Sequence, residues 1–143
     1  RVILGKVAKG IVTTLGDPDA LHAYAYLPDM ARAAVGLVAL GDALTVYADI
    51  PFAGHAFTIS DLAARISRLS GRPMRIKHFP LWLFTVTSPV WELARELREM
   101  LYLSSFPHQL DPAPLLKWLP DWQDISMDEV ILRHLKALGV TAG

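Results

Sequence analysis

GDPDALHAYAYLPDMARAAVGLVAL, residues 16–40, passes from a turn through a strand into a helix, and it sets the class of the whole chain. Gly16, Asp17, Pro18 and Asp19 are turn-forming residues. In the run 22–27, His22, Tyr24 and Tyr26 alternate with Ala23, Ala25 and Leu27, so a strand puts the three large rings on one face. Large side chains with polar tips on one strand face can line a ligand pocket. Pro28-Asp29 then opens a helix, where Asp29 caps free N–H groups or offsets the helix dipole. Ala31, Ala34, Val35, Val38 and Ala39 form its expected buried face, and it stops near Gly41.

Upstream, Arg1–Ile11 reads as the end of a helix, with Val2, Ile3, Leu4, Val7, Ala8 and Ile11 on one face and Gly10 as its stop. Val12–Leu15 reads as a short strand that pairs back on residues 22–27. Downstream, Leu44–Ile50 suits a strand covered on both faces, and Pro51–His55 a loop. Thr58 starts a helix with Asp61 three places on, and its stripe is Ile59, Leu62, Ala63, Ile66 and Leu69. Ser70–Pro73 ends it. Met74–Phe79 reads as an edge strand, closed by Pro80. Leu81–Thr87 is a short apolar helix or turn. Ser88-Pro89 restarts the chain into a helix striped by Val90, Leu93, Ala94, Leu97, Met100 and Leu101. Residues 104–124 are rich in proline and read as irregular, with one turn near Leu115–Trp118. Ser126 and Glu129 form a capping box before a last helix, which Gly139 ends. The reading is mostly helical α/β, with about five helices and three to four short strands.

The chain has 143 residues, which suits a single region over 1–143 with no second domain. It is 52% hydrophobic and 20% charged, too apolar for disorder. Fourteen Lys plus Arg balance fourteen Asp plus Glu, which argues against a nucleic-acid partner bound through bulk basicity. With no cysteine there are no disulfides, thiolate metal sites or cysteine nucleophiles. The longest uncharged stretch, Phe79–Trp91, is interrupted by Pro80 and Pro89 and falls short of the roughly 20 residues a membrane span needs. A cytoplasmic setting is the expectation. The first residue is arginine, so a piece excised from a longer product is expected too.

No residue can be assigned to catalysis, cofactor binding or a metal from spacing alone. There is no GxGxxG, no phosphate loop and no GxSxG. The five histidines, at 22, 55, 78, 108 and 134, show no metal-ligand spacing. The acidic pairs Asp17/Asp19 and Asp128/Glu129 sit at a turn and at a helix start, where structural roles suffice.

The run Tyr24-Ala25-Tyr26-Leu27-Pro28-Asp29-Met30-Ala31, after the turn at 16–19, resembles the aromatic strand and Val/Leu-x-Asp-hydrophobic-Ala helix start of the NAD-dependent epimerase/dehydratase family, the extended and atypical short-chain dehydrogenases/reductases. The order that follows is similar as well: a strand at 44–50, the helix start at Thr58–Leu62, the turn at Ser70–Pro73, a strand at Met74–His78, Asp111, and a closing helix from Met127. The resemblance spans nearly all of the chain. It implies the C-terminal substrate-binding part of an SDR-type Rossmann protein. An N-terminal Rossmann domain, absent from this chain, would hold NAD or NADP and supply a YxxxK pair. None of Tyr24, Tyr26, Tyr47 or Tyr102 has lysine four places on. The chain alone is therefore expected to bind no cofactor and to perform no turnover of the oxidoreductase, epimerase or dehydratase kind. Family members acting on nucleotide sugars often carry arginine where this chain has His22. That departure, with the aromatic residues of 79–106, favours a small apolar or weakly charged substrate. The expected substrate-binding residues are His22, Tyr24, Tyr26, Trp82 and Tyr102. The alternative is a stand-alone helical module that binds a small molecule or associates with itself as a homodimer.

Overall fold

A computed structural model describes residues 3–45, 47–82, 86, 91–92, 95–96, 101–104 and 106–140, the side chain of Tyr102 excepted. Its strands are β1 (Ile11–Thr14), β2 (His22–Tyr24), β3 (His55–Phe57) and β4 (Arg75–His78). The α-helices whose bounds lie within the described residues are α1 (Leu27–Ala39), α2 (Ile59–Ser70), α3 (Ala113–Trp118) and α4 (Met127–Ala137). Single 3-10 turns stand at Val7–Lys9, Gly41–Ala43 and Leu101–Ser104. Among the described residues this is an α/β chain dominated by helix.

The core forms around α2. Ile59, Leu62, Ala63 and Ile66 recur at helical spacing and are all buried, with Leu69 packed at the margin. They meet Val7 and Val12 on one side and Ile131, Leu135 and Val140 on the other. Side chains of this size each contribute about 1.5–3 kcal/mol when fully removed from water. Both ends of α2 are set locally. Thr58 Oγ1 accepts the Asp61 N–H at 3.0 Å, and Gly71 closes the helix in the left-handed region at φ 64°. At α4, Ser126 Oγ accepts the Glu129 N–H at 3.3 Å, while the Glu129 carboxylate turns to Arg133 at 2.6 Å. Only the serine half of the expected capping box therefore forms. Asp128 ties α4 to α2 through Arg65 at 2.9 Å and Arg68 at 2.7 Å.

Strand pairing departs from the sequence reading. β1 pairs with β4 in parallel, Val12 opposite Ile76, and not with β2. β2 pairs antiparallel with β3, Tyr24 opposite His55, a strand that the sequence reading did not place and that begins at the last residue of the expected loop Pro51–His55. A hairpin between β1 and β2 is prevented by the turn that follows β1. There the Thr14 hydroxyl folds back onto the Gly16 carbonyl, and the Asp17 carboxylate takes the Asp19 N–H, which ends the strand direction. β2 stops at Tyr24 because Tyr26 and Leu27 are already the cap and first residue of α1. The exposed Arg75 and Lys77, between Pro73 and Pro80, keep the outer edge of β4 from recruiting another strand.

Three further expectations are corrected. Around residue 46, which lies outside the described residues, the run 44–50 is not a strand, and Tyr47 is 84% exposed. An apolar run becomes a buried strand only where a sheet receives its edges, and among the described residues no strand pairs with it. In place of the expected helix end, the described residues 3–10 hold one 3-10 turn, Val7–Lys9, that lies along β1. Ile11 donates to the Lys6 carbonyl and Thr13 to the Ile3 carbonyl. α1 forms where expected but is turned round. Ala31, Ala34, Val35, Val38 and Ala39 face outward, and the buried positions are Asp29 and Ala33. The expected helix over 88–101 falls largely outside the described residues. No helix among the described residues is long and apolar enough to cross a membrane.

Candidate functional site

A cleft of about 430 Å³ opens between the turn after β1, the strand β2 and the turn Leu101–Ser104. Ile3, Leu15, Ile59, Leu101 and Leu103 give it an apolar body, and Thr14, Asp17, His22, Tyr24, Ser104 and His108 carry polar side chains in its lining. β2 brings His22 and Tyr24 to it by strand alternation. Gly16 is required where the two turns meet, because a Cβ there would collide with the backbone and hydroxyl of Ser104.

His22 is buried and donates from Nε2 to the Leu103 carbonyl at 3.3 Å. A carbonyl only accepts, so Nε2 carries the proton and Nδ1 is left as a lone pair. The His108 ring lies 4.9 Å away, edge-on, with Nδ1 donating to the Phe106 carbonyl at 3.3 Å. The same rule leaves its Nε2 as an acceptor. The backbone N–H of His108 donates to Leu21 at 2.8 Å, which pins residues 106–110 beside the start of β2. Tyr24 stacks on Phe57 of β3 at 4.4 Å with ring planes 16° apart. Burial pushes its phenol above the usual tyrosine range.

Of the expected site residues, His22 and Tyr24 line the cleft. Tyr26 does not. Its ring stands 5.9 Å from His134 of α4, and its side chain together with Glu129 raises the Arg133 guanidinium above its usual range. Trp82 is 63% exposed and is not part of the lining. Tyr102 sits in the turn that forms one wall, with its side chain outside the described residues. Thr14, Ser104 and His108 were not anticipated. The His22–Leu103 bond joins positions 81 apart, and no local pattern announces it. Among the described residues no group of three or more His, Cys, Asp or Glu could hold a metal ion.

Neither a family model nor a curated protein matches the chain.

Proposed function

We propose that this chain is the substrate-binding portion of an NAD(P)-dependent oxidoreductase, epimerase or dehydratase of the extended or atypical short-chain dehydrogenase/reductase type. The observation that carries the reading is the cleft beside β2, built on His22 and Tyr24 within the segment that resembles that family. Its body is apolar, which suits a small substrate of low charge.

NAD or NADP does not fit the residues present. A pyrophosphate needs a glycine-rich turn between a strand and a helix. Between β1 and α1 the one glycine, Gly16, is pressed against Ser104, and the carboxylate of Asp17 follows it. The cofactor and the proton-transferring tyrosine and lysine therefore belong to an N-terminal Rossmann part. The outward apolar face of α1, with Leu27 73%, Val35 71% and Val38 78% exposed, supports a partner of that kind.

The coding sequence upstream of Arg1 tests the proposal. A glycine-rich strand–turn–helix and a YxxxK are expected there, and the longer product should oxidise or reduce a nicotinamide cofactor while this chain alone does not. A reading frame that opens near Arg1 would overturn it, as would turnover by the chain alone. The same α1 face also suits a second reading, a self-associating binding module, in which two copies cover each other's helix. Light scattering on the chain alone separates the two, since a stable dimer of about 1,200–2,000 Å² buried surface would persist at micromolar concentration.

A further inference from the structure

Charge balances over the whole chain but not along it. Residues 1–16 and 62–91 contain no Asp or Glu, yet they hold eight of the fourteen Lys and Arg, three in the first stretch and five in the second. The fold brings the two stretches together, because β1 lies in the first and β4 in the second. The Gly10 carbonyl accepts the Arg75 N–H at 2.8 Å, and the Lys6 carbonyl accepts the Ile11 N–H at 3.2 Å, so Lys6 and Lys9 stand beside the start of β4. Arg72 leads into that strand. Lys77 follows Arg75 one strand repeat on, about 7 Å along the same face. Arg65 and Arg68 share Asp128. Lys6, Lys9, Arg72, Arg75 and Lys77 are exposed, and among the described residues none of the five is ion-paired. The carboxylates that follow β1 are turned elsewhere. Asp17 lines the cleft, and Asp19 accepts the Ser60 hydroxyl at 2.5 Å.

From β4 the chain passes directly into the uncharged stretch Phe79–Trp91. There Trp82, Val86 and Trp91 are 63%, 65% and 49% exposed. Trp82 stands four residues beyond His78, so it lies within about 14 Å of the end of β4 by any path. A ridge of unpaired cations therefore adjoins exposed indole and aliphatic side chains. A nucleic acid would match the cations and leave Val86 in water. An acidic protein segment would match only the ridge. An anionic lipid surface matches both parts: its headgroup phosphates meet the cations, while tryptophan is favoured at the depth of the headgroups and an aliphatic side chain gains by entering the acyl boundary. We propose that Lys6, Lys9, Arg72, Arg75 and Lys77, together with Trp82, seat this chain on an anionic bilayer, lying on its surface. Neither part alone anchors a protein firmly, and the two together do. The proposal is independent of the reading of the cleft.

The test is flotation of the full chain with two kinds of vesicle, phosphatidylcholine alone and equal parts of phosphatidylcholine and phosphatidylserine. The chain should float with the mixed vesicles and hardly at all with phosphatidylcholine. Its tryptophan emission should shift to the blue and be quenched by lipids brominated along the acyl chain. Binding should weaken as salt rises, since the Debye length shortens to about 8 Å at physiological ionic strength. Each cation near an anionic surface strengthens binding about fivefold, so Arg75→Gln with Lys77→Gln should weaken it about 25-fold. Lys9→Gln with Arg72→Gln gives a second pair with the same expectation. Trp82→Ser should weaken binding severalfold and shrink the emission shift. All five positions are exposed, and a matched thermal melt for each variant keeps the comparison to folded chains. Equal flotation with both vesicles, or with neither, overturns the proposal. So does vesicle binding that ignores Trp82→Ser and leaves the emission unshifted, which is attraction of charge alone. Tighter binding to a single-stranded oligonucleotide than to the mixed vesicles, unchanged by Trp82→Ser, overturns it in favour of a nucleic acid.

Discussion

Asp29 shows how much one side chain settles. It is fully buried near the start of α1, where the sequence suggests a simple helix-start role, yet its carboxylate does more than serve its own helix. It accepts from Arg32 at 2.7 Å and from the backbone N–H of Ile125 at 2.9 Å, 96 positions away. Arg32 in turn reaches the Gln123 carbonyl at 3.0 Å and lies over the Trp122 ring at 4.7 Å. Replacing Asp29 by alanine strands the Ile125 N–H and releases Arg32, and should cost about 1–3 kcal/mol in denaturant unfolding. Asp29→Asn, which keeps the shape but not the charge, should fall between the two. Tyr24 acts through its environment. Its phenol is raised by burial, so the folded state favours the neutral form and stability is lost as pH climbs beyond the ordinary tyrosine range. Tyr24→Phe should remove that part of the alkaline loss in a melting series from neutral to high pH.

Among the elements, α2 was readable and α1 only half so. The stripe of α2 is buried as its period dictates, and Thr58 and Gly71 fix its ends within a few residues. Thr58→Ala should therefore cost about 1 kcal/mol in thermal or chemical unfolding. The location of α1 was equally plain, but not its facing. A period places residues on one side of a cylinder without saying which side is inward. Here a buried aspartate and its distant partners decide, against the apolar pattern. The strand positions β1, β2 and β4 were legible from local composition, while their pairing was not, since β1 meets β4 across more than 60 positions. The site divides in the same way. His22 and Tyr24 follow from alternation, Tyr26 fails because the strand gives way to a helix, and His108 arrives through a contact that sequence spacing does not encode. The junction of α2 and α4 offers a charge test. Hydrogen bonds from Arg68 and then Arg65 hold the Asp128 carboxyl below the usual carboxylate range. Its contribution is present above that range and fades as pH falls through the lowered value. Asp128→Asn should melt lower than the native chain at neutral pH, with the gap closing in acid and narrowing in high salt, as for a bridge in contact with solvent.

At the scale of the molecule, the outward face of α1 is where a change in sequence should separate folding from association. Val35→Lys and Val38→Lys place charge on a surface already in water and should alter unfolding by no more than about 0.5 kcal/mol. On the proposed function both should abolish assembly with the N-terminal part, and on the second reading assembly with a second copy, in a pull-down or light-scattering measurement. Ala33→Lys is the control: Ala33 is 3% exposed, and lysine there should unfold the helix from its neighbours. The inner side of the same helix carries a different message. The Gly36 position faces Leu119, and the Asp29 carboxylate reaches Ile125, so the stretch between α3 and α4 is seated on the helix that opened the fold. Cutting the polypeptide after residue 118 would strip the carboxylate of its distant donor and the α2 core of Ile131 and Leu135 in one stroke. The tail is thus a keystone: a shortened product should lose its cooperative melt altogether, and limited proteolysis that nicks 119–125 should be followed by digestion of the N-terminal third.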